Sequence, residues 1–236
     1  MRLDWPGVHN ARDLGGLPAN GGRTRTGAIV RSDSLQALTA EGWEALLAHG
    51  VRTVVDLRND DERGPDASPR PDEVTTVHVP LDGSHDREFW DVWASGPQFG
   101  TPLYYRPHLE RLPERSAAAI AVIADAPPGG VAFHCEGGRD RAGQISMLVL
   151  ALAGVPASEI AADYALSELY LKDRYAARGA DDDGPVLTAY LADQGTTAEG
   201  VIEELLATFD VEGALRRGGL ADASIASLRE RFVDPS

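Results

Sequence analysis

The chain predicts an α/β fold: a central sheet flanked by helices, followed by a helical C-terminal part. Three observations carry this. Short apolar runs such as Thr53-Val54-Val55-Asp56-Leu57 and Val131-Ala132-Phe133 alternate with longer helical stretches, the pattern of a layered α/β domain. Hydrophobic residues make up 43% of the 236 residues, enough to bury a core and too many for a disordered chain. No internal repeat or long linker divides the sequence, so residues 1–236 read as a single domain.

Residues 1–27 are rich in Gly and polar side chains and read as turns. Ala28-Ile29-Val30 follows as a short strand. Thr39 stands where it can cap a helix through Trp43, Leu46 and Leu47, with Gly50 as its stop. Residues 53–57 form a buried strand and Val74 to Leu81 another. Between 82 and 113 the periodicity fades, and Trp90, Trp93, Tyr104 and Tyr105 fall in a loop with a short helix, beside or over the site. Ser116 to Ala126 is helical and is ended by Pro127-Pro128-Gly129-Gly130. Residues 131–133 give the next strand, and Gly143 to Ala153 the next helix, stopped at Gly154 and Pro156. The remainder is helical except for a break at Arg178 to Pro185. Its three aspartates read as an acidic helix-start turn, with Pro185 in the first turn, rather than as a cation loop. Residues from about 165 to 200 form a candidate helical lid.

Charge and cysteine usage narrow the function. A net charge of −15 opposes nucleic acid and anionic lipid at long range, so neither a nucleic-acid partner nor stable membrane association is expected. The single cysteine excludes an intramolecular disulfide and points to a reducing compartment. The opening Met1-Arg2-Leu3-Asp4-Trp5-Pro6 lacks a secretory apolar run, and the most apolar stretch, Ile145 to Leu152, is too short to span a bilayer. A cytoplasmic protein is expected.

The chemistry sits between the strand ending at Phe133 and the helix starting near Ala142. Five residues separate Cys135 from Arg141, and two of them are Gly137 and Gly138. So short a loop between strand and helix can wrap one tetrahedral anion with inward N–H groups and a helix N-terminus. Arg141 adds a planar fork for two oxygens. The same field is expected to lower the Cys135 thiol pKa and yield a thiolate nucleophile for displacement at phosphorus, without metal or cofactor. Read plainly, Cys135 would be a small core residue and the glycines an ordinary turn. That reading leaves His134, the spacing to Arg141 and the strand–loop–helix setting unexplained. His134 is expected to orient the loop by hydrogen bonding.

The stretch from His134-Cys135 to Arg141 resembles the signature of protein tyrosine phosphatases. Gly138-Arg139-Asp140-Arg141-Ala142-Gly143 is similar to a bacterial tyrosine/lipid phosphatase subgroup whose loop usually reads HCxxGKDRTG. Asn10-Ala11-Arg12-Asp13-Leu14-Gly15-Gly16, Arg31-Ser32, Val55-Asp56-Leu57-Arg58 and Asp163-Tyr164-Ala165-Leu166-Ser167 also resemble its NFRDLGG, RS, DLR and DYxxS elements. The likeness runs from about residue 8 to about 170 and is expected to continue to the C-terminus. It implies a tyrosine-phosphatase-like sheet and hydrolysis through a phosphocysteine on protein phosphotyrosine or with dual specificity. The phosphate would be held by Glu136, Gly137, Gly138, Arg139, Asp140 and Arg141. Asp140 is the preferred general acid by resemblance, and Asp82 is a second candidate. Arg12, Asp13, Arg31 and Arg58 read as structural ties, and Arg139 as a rim residue able to bind a second phosphate or carboxylate.

Two positions depart from the pattern: Arg139 replaces a lysine, and Ala142 replaces a Ser or Thr whose hydroxyl bonds the thiolate. Other readings are a phosphatase of a phosphoinositide or small phosphorylated metabolite, and an inactive relative that binds phosphate. A thiol redox enzyme is disfavoured by the lack of a resolving cysteine.

Overall fold

The computed structural model describes residues 1–235. The first residues, expected as turns, supply three short strands: β1 (Arg12–Asp13), β2 (Pro18–Ala19) and β3 (Gly22–Thr24). Next comes β4 (Ile29–Ser32), every residue of which is buried. Helix α1 (Ala40–Ala48) starts as expected, with the Thr39 hydroxyl oxygen accepting from Gly42 N–H at 3.2 Å. β5 (Val51–Asp56) and the more exposed β6 (Thr75–His78) follow. The aromatic stretch between 82 and 113 holds more helix than its faded periodicity predicts: α2 (Arg87–Trp93), two 3-10 turns and α3 (Tyr105–Arg111). Its Trp90 ring packs against Phe99, Tyr104 and His108, contacts between neighbours that no single helical face displays.

Helix α4 (Pro113–Ala124) precedes β7 (Gly130–His134), and α5 (Arg141–Leu152) follows it. The rest is helical, as predicted: α6 (Ala157–Arg178), α7 (Gly184–Asp193), α8 (Ala198–Thr208), α9 (Val211–Arg217) and α10 (Asp222–Phe232). A final strand, β8 (Val233–Pro235), was not foreseen. It pairs antiparallel with β3 and completes a small sheet in the order β2-β3-β8.

The main sheet runs β1-β4-β7-β5-β6. β4, β7, β5 and β6 are parallel, and β1 lies antiparallel along β4. Side chains alternate between its faces. Val30, Val54 and Ala132 join Trp5, Trp43 and Leu46 on the α1 side. Ile29, Val55, Val131 and Phe133 join the larger core built from α4, α5 and α10. Apart from Ala151, all of α5 is buried, so this helix lies inside the core rather than on it. The loop between the central strand β7 and the buried helix α5 is therefore anchored at both ends by rigid core. Among the described residues no helix is long and apolar enough to cross a membrane.

Candidate active site

The loop from Cys135 to Asp140 leaves the C-terminal end of β7 and enters α5 at Arg141. Its shape depends on Gly138, whose φ is +72°. A Cβ there would lie 2.5 Å from the Asp33 nitrogen and 2.7 Å from Ser32 backbone atoms, so only glycine fits.

The loop carbonyls all find partners outside it. The carbonyl of Glu136 accepts from Ser34 N–H at 3.1 Å. That of Gly137 accepts from Asn10 Nδ2 at 3.0 Å, and that of Gly138 from an Arg31 NH2 group at 2.7 Å. The Arg139 carbonyl lies 3.4 Å from the same Arg31 nitrogen, and the Cys135 carbonyl 3.2 Å from His134 Nδ1. In a planar trans peptide the N–H points opposite to the C=O. Five outward carbonyls thus turn the N–H groups of residues 136–140 inward. Gly138 N–H meets the sulfur of Cys135 at 3.2 Å. Among the described residues, the N–H groups of Glu136, Gly137, Arg139 and Asp140 donate to nothing in the protein. Inward, unpaired amides are an anion-binding nest.

The resembling motifs elsewhere in the chain converge on this loop. Asp163 of α6 accepts from Arg12 Nε at 2.7 Å and from Arg31 NH1 at 2.6 Å, and the Ser167 hydroxyl oxygen accepts from Arg12 at 2.9 Å. Burial pushes the Asp163 carboxyl up, but the two guanidiniums outweigh it and hold it below its usual range. Asp33 accepts the N–H groups of His9 and Asn10, which places Asn10 against the loop. Arg58 forks onto Asp56 at 3.0 and 2.8 Å and reaches Ser34 at 3.0 Å. Arg12, Arg31 and Arg58 are ties that shape the cradle from behind. Burial pulls His134 down to about 4, so its ring is neutral near pH 7. Because a carbonyl only accepts, its proton sits on Nδ1, facing Cys135.

The sulfur departs from the sequence expectation. Cys135 is 2% exposed, and burial raises its thiol above the ordinary value. Arg141 and the backbone N–H groups of Ala142 and Gly138 oppose this without overcoming it. The missing hydroxyl at Ala142 is thus partly offset by that residue's own amide.

Arg141 is anchored by a residue that the sequence did not single out. The Glu62 carboxylate spans NH1 and NH2, the latter at 2.5 Å, and Asp82 Oδ2 lies 3.3 Å from NH1. Glu62 also accepts from Asn59 N–H at 2.8 Å, and its position three residues after an Asn is the local signal that could have flagged it. Asp82 is positioned from two further sides. Asn59 Nδ2 donates to its Oδ2 at 2.8 Å, and Trp90 Nε1 donates to its carbonyl at 2.9 Å. Burial raises the Asp82 carboxyl against the pull of Arg141 and Asn59, with Glu62 and Asp140 adding to the rise. Asp140 Oδ1 accepts from Arg139 Nε at 3.1 Å.

Two loop side chains are engaged by the helices that follow. Glu136 lies on Arg174 and Arg178 of α6. Arg139, expected free at the rim, forks onto Asp183 at 2.8 and 3.0 Å, and Tyr175 donates to the same carboxylate at 2.7 Å. Any part these two play in holding phosphate is through their backbone N–H groups. A cavity of about 820 Å³ lies at the other end of the sheet, beside Ala28 and Gly130, away from the sulfur. Its Arg25 is committed to Asp234, and its Arg231 to carbonyls of the α4–β7 turn.

An anion nest, a buried sulfur and an arginine thus meet at one strand–helix junction of a mostly parallel sheet. The sequence pattern of the tyrosine phosphatase family matches residues 3–234, and the chain belongs to that family. It is 31% identical over 218 residues to a tyrosine-protein phosphatase of Nostoc commune, covering 87% of this chain and 74% of the relative. It is 33% identical over 170 residues to a provisionally named tyrosine-protein phosphatase of Cupriavidus necator, covering 69% of this chain and 61% of that protein.

Proposed function

We propose that this chain hydrolyses phosphate monoesters through a phosphocysteine on Cys135, with phosphotyrosine in proteins as the leading substrate class. The observation that carries this reading is the set of four unpaired, inward N–H groups between the sulfur and Arg141. A phosphoryl group seated there receives those donors on its oxygens together with a fork from Arg141. The buried thiol passes its proton to the dianionic phosphate, and the thiolate attacks phosphorus. The S–P bond forms as the ester P–O bond breaks, and the leaving oxygen takes a proton from an aspartate. Water then attacks the phosphocysteine and returns a proton to that aspartate. The S–P bond breaks, and thiolate and inorganic phosphate remain.

Asp140 is the proposed acid, because its side chain is the more accessible of the two, 20% exposed against 9% for Asp82. A specific observation supports Asp82 as a second reading: burial raises its carboxyl, the direction a general acid requires, and it lies 3.3 Å from Arg141. The helices from about 165 to 200 serve as a lid, held to the loop by Asp183 on Arg139 and by Glu136 on Arg174 and Arg178.

The test is a panel of phosphopeptides, phosphoinositides and sugar or nucleotide phosphates, run in chelator with wild type and Cys135→Ser. Wild type is expected to turn over phosphotyrosine, and the variant to keep phosphate binding and lose turnover. Substantial hydrolysis by Cys135→Ser would sink the mechanism. A wild type that binds phosphate but hydrolyses nothing would make the chain an inactive phosphate-binding relative. A metabolite ester turned over much faster than any phosphopeptide would reassign the substrate class.

A further inference from the structure

The two sides of the cradle carry different charge balances. On one side Arg139 and Arg141 meet four carboxylates: Asp140 and Asp183 on the first, Glu62 and Asp82 on the second. On the other side Arg174 and Arg178 converge on a single oxygen, Oε1 of Glu136, at 2.5 and 2.9 Å. Arg58, 3.9 Å from the other Glu136 oxygen, is already forked onto Asp56. Asp33 lies 3.7 Å from Arg174 Nε and is taken up by the N–H groups of His9 and Asn10. Arg174 is more than nine-tenths buried, and its Nε makes no hydrogen bond. Of the two sides, the one where α6 borders the loop therefore has fewer carboxylates for its two arginines, Glu136 and the more distant Asp33 against four, in a chain whose net charge is −15. Arg139, the rim cation suggested by sequence, is spent on the lid.

We propose that Arg174 and Arg178 read a second anionic group on the substrate, a carboxylate or phosphate on a residue flanking the phosphotyrosine of a peptide. This rests on the phosphatase reading of the cradle. Cys135 lies deep, which suits the length of a phosphotyrosine and leaves flanking residues at the rim. Arg178, half-exposed one helical turn beyond the buried Arg174, stands at that rim. A flanking anion relieves two guanidiniums that now share one carboxylate oxygen. The acidic surface of the whole chain opposes an anionic bilayer, which favours a soluble peptide over a lipid headgroup.

The experiment compares two phosphotyrosine peptides that differ only in acidic or neutral flanking residues, in wild type, Arg178→Gln and Arg178→Glu. Wild type should prefer the acidic peptide by about five- to tenfold in kcat/KM, with the preference shrinking as salt rises. Arg178→Gln should lose most of that preference, and Arg178→Glu should reverse it. The same preference should appear in Kd for the Cys135→Ser protein, which separates this inference from the chemistry. If turnover fails but the binding preference holds, the hydrolytic reading falls and this one stands. Equal rates and equal Kd values for both peptides, unchanged in Arg178→Gln, would overturn it. Phosphoinositide vesicles turned over faster than the acidic peptide, with the advantage lost in Arg178→Gln, would overturn the peptide assignment.

Discussion

Removing the charge of Glu62 distinguishes two opposite roles for its contact with Arg141. A guanidinium carries five N–H bonds. Three are used in the resting site: two on NH1, towards Glu62 and Asp82, and one on NH2, towards Glu62. The two left over, on Nε and NH2, lie on one edge of the plane and form the fork that suits two phosphate oxygens. Glu62 therefore holds the edge that substrate does not need, and its role is to position Arg141 rather than to compete for it.

The cost of losing this hold follows from the contacts. A hydrogen bond to a charged group contributes about 1.5–3 kcal/mol. Glu62 is 27% exposed on its side chain, and solvent there reduces the pair of bonds to about 2 kcal/mol together. At about 1.4 kcal/mol per decade, Glu62→Gln should lower kcat/KM for p-nitrophenyl phosphate by about thirtyfold, with unchanged far-ultraviolet circular dichroism. The readout is steady-state kinetics, with inorganic phosphate as a competitive inhibitor to report ground-state binding. If Glu62→Gln raises kcat/KM, or lowers the inhibition constant of phosphate, Glu62 is a competitor and the positioning argument is wrong.

Three further outcomes are expected. Asp140→Asn should slow alkyl phosphates far more than activated aryl phosphates, since only a strongly basic leaving oxygen needs a proton; that selectivity in Asp82→Asn instead would move the acid to Asp82. Ala142→Thr should speed phosphocysteine hydrolysis by up to about tenfold, less than one full charge-assisted bond allows because two backbone N–H groups already serve the sulfur, and rapid mixing should show a smaller burst than wild type. His108 and His134 are both pulled down to about 4 by burial, so the unfolded chain takes up protons first as the pH falls below about 6.5. Stability contributed by their neutral forms, on the order of 3 kcal/mol each, should be present above that pH and be lost as the pH falls through about 4. Urea midpoints at several pH values should show this, with a flatter profile for His108→Gln.

What could be read from the sequence was whatever lies within one element or one loop. The strand, loop and helix from Gly130 to Leu152 were legible because an apolar run, a glycine pair and a second apolar run are adjacent in the chain. So was the Thr39 cap, which acts across three residues. The pairing of β8 with β3 was not, because its partners lie about 210 residues apart and neither strand has an apolar alternation to announce it. The fall in thiol pKa was expected from the loop's donors alone. The rise comes from enclosure by the surrounding core, which spacing cannot report.

The charged residues divide along the same line. Arg174 and Arg178, four apart on α6, could be read as sharing a helix face, but a charged face ordinarily means solvent. That this face meets Glu136 depends on where α6 is fixed, and Asp163 and Ser167, earlier on the same helix, fix it by holding Arg12 and Arg31. Arg31 in turn holds the Gly138 carbonyl. The DYxxS, RS and RDLGG resemblances, each weak alone, are thus parts of one buried ion-pair network. That network sets the curvature of the loop from Cys135 to Asp140 and places two arginines beside it, so the shape of the cradle and the charge at its rim come from the same contacts.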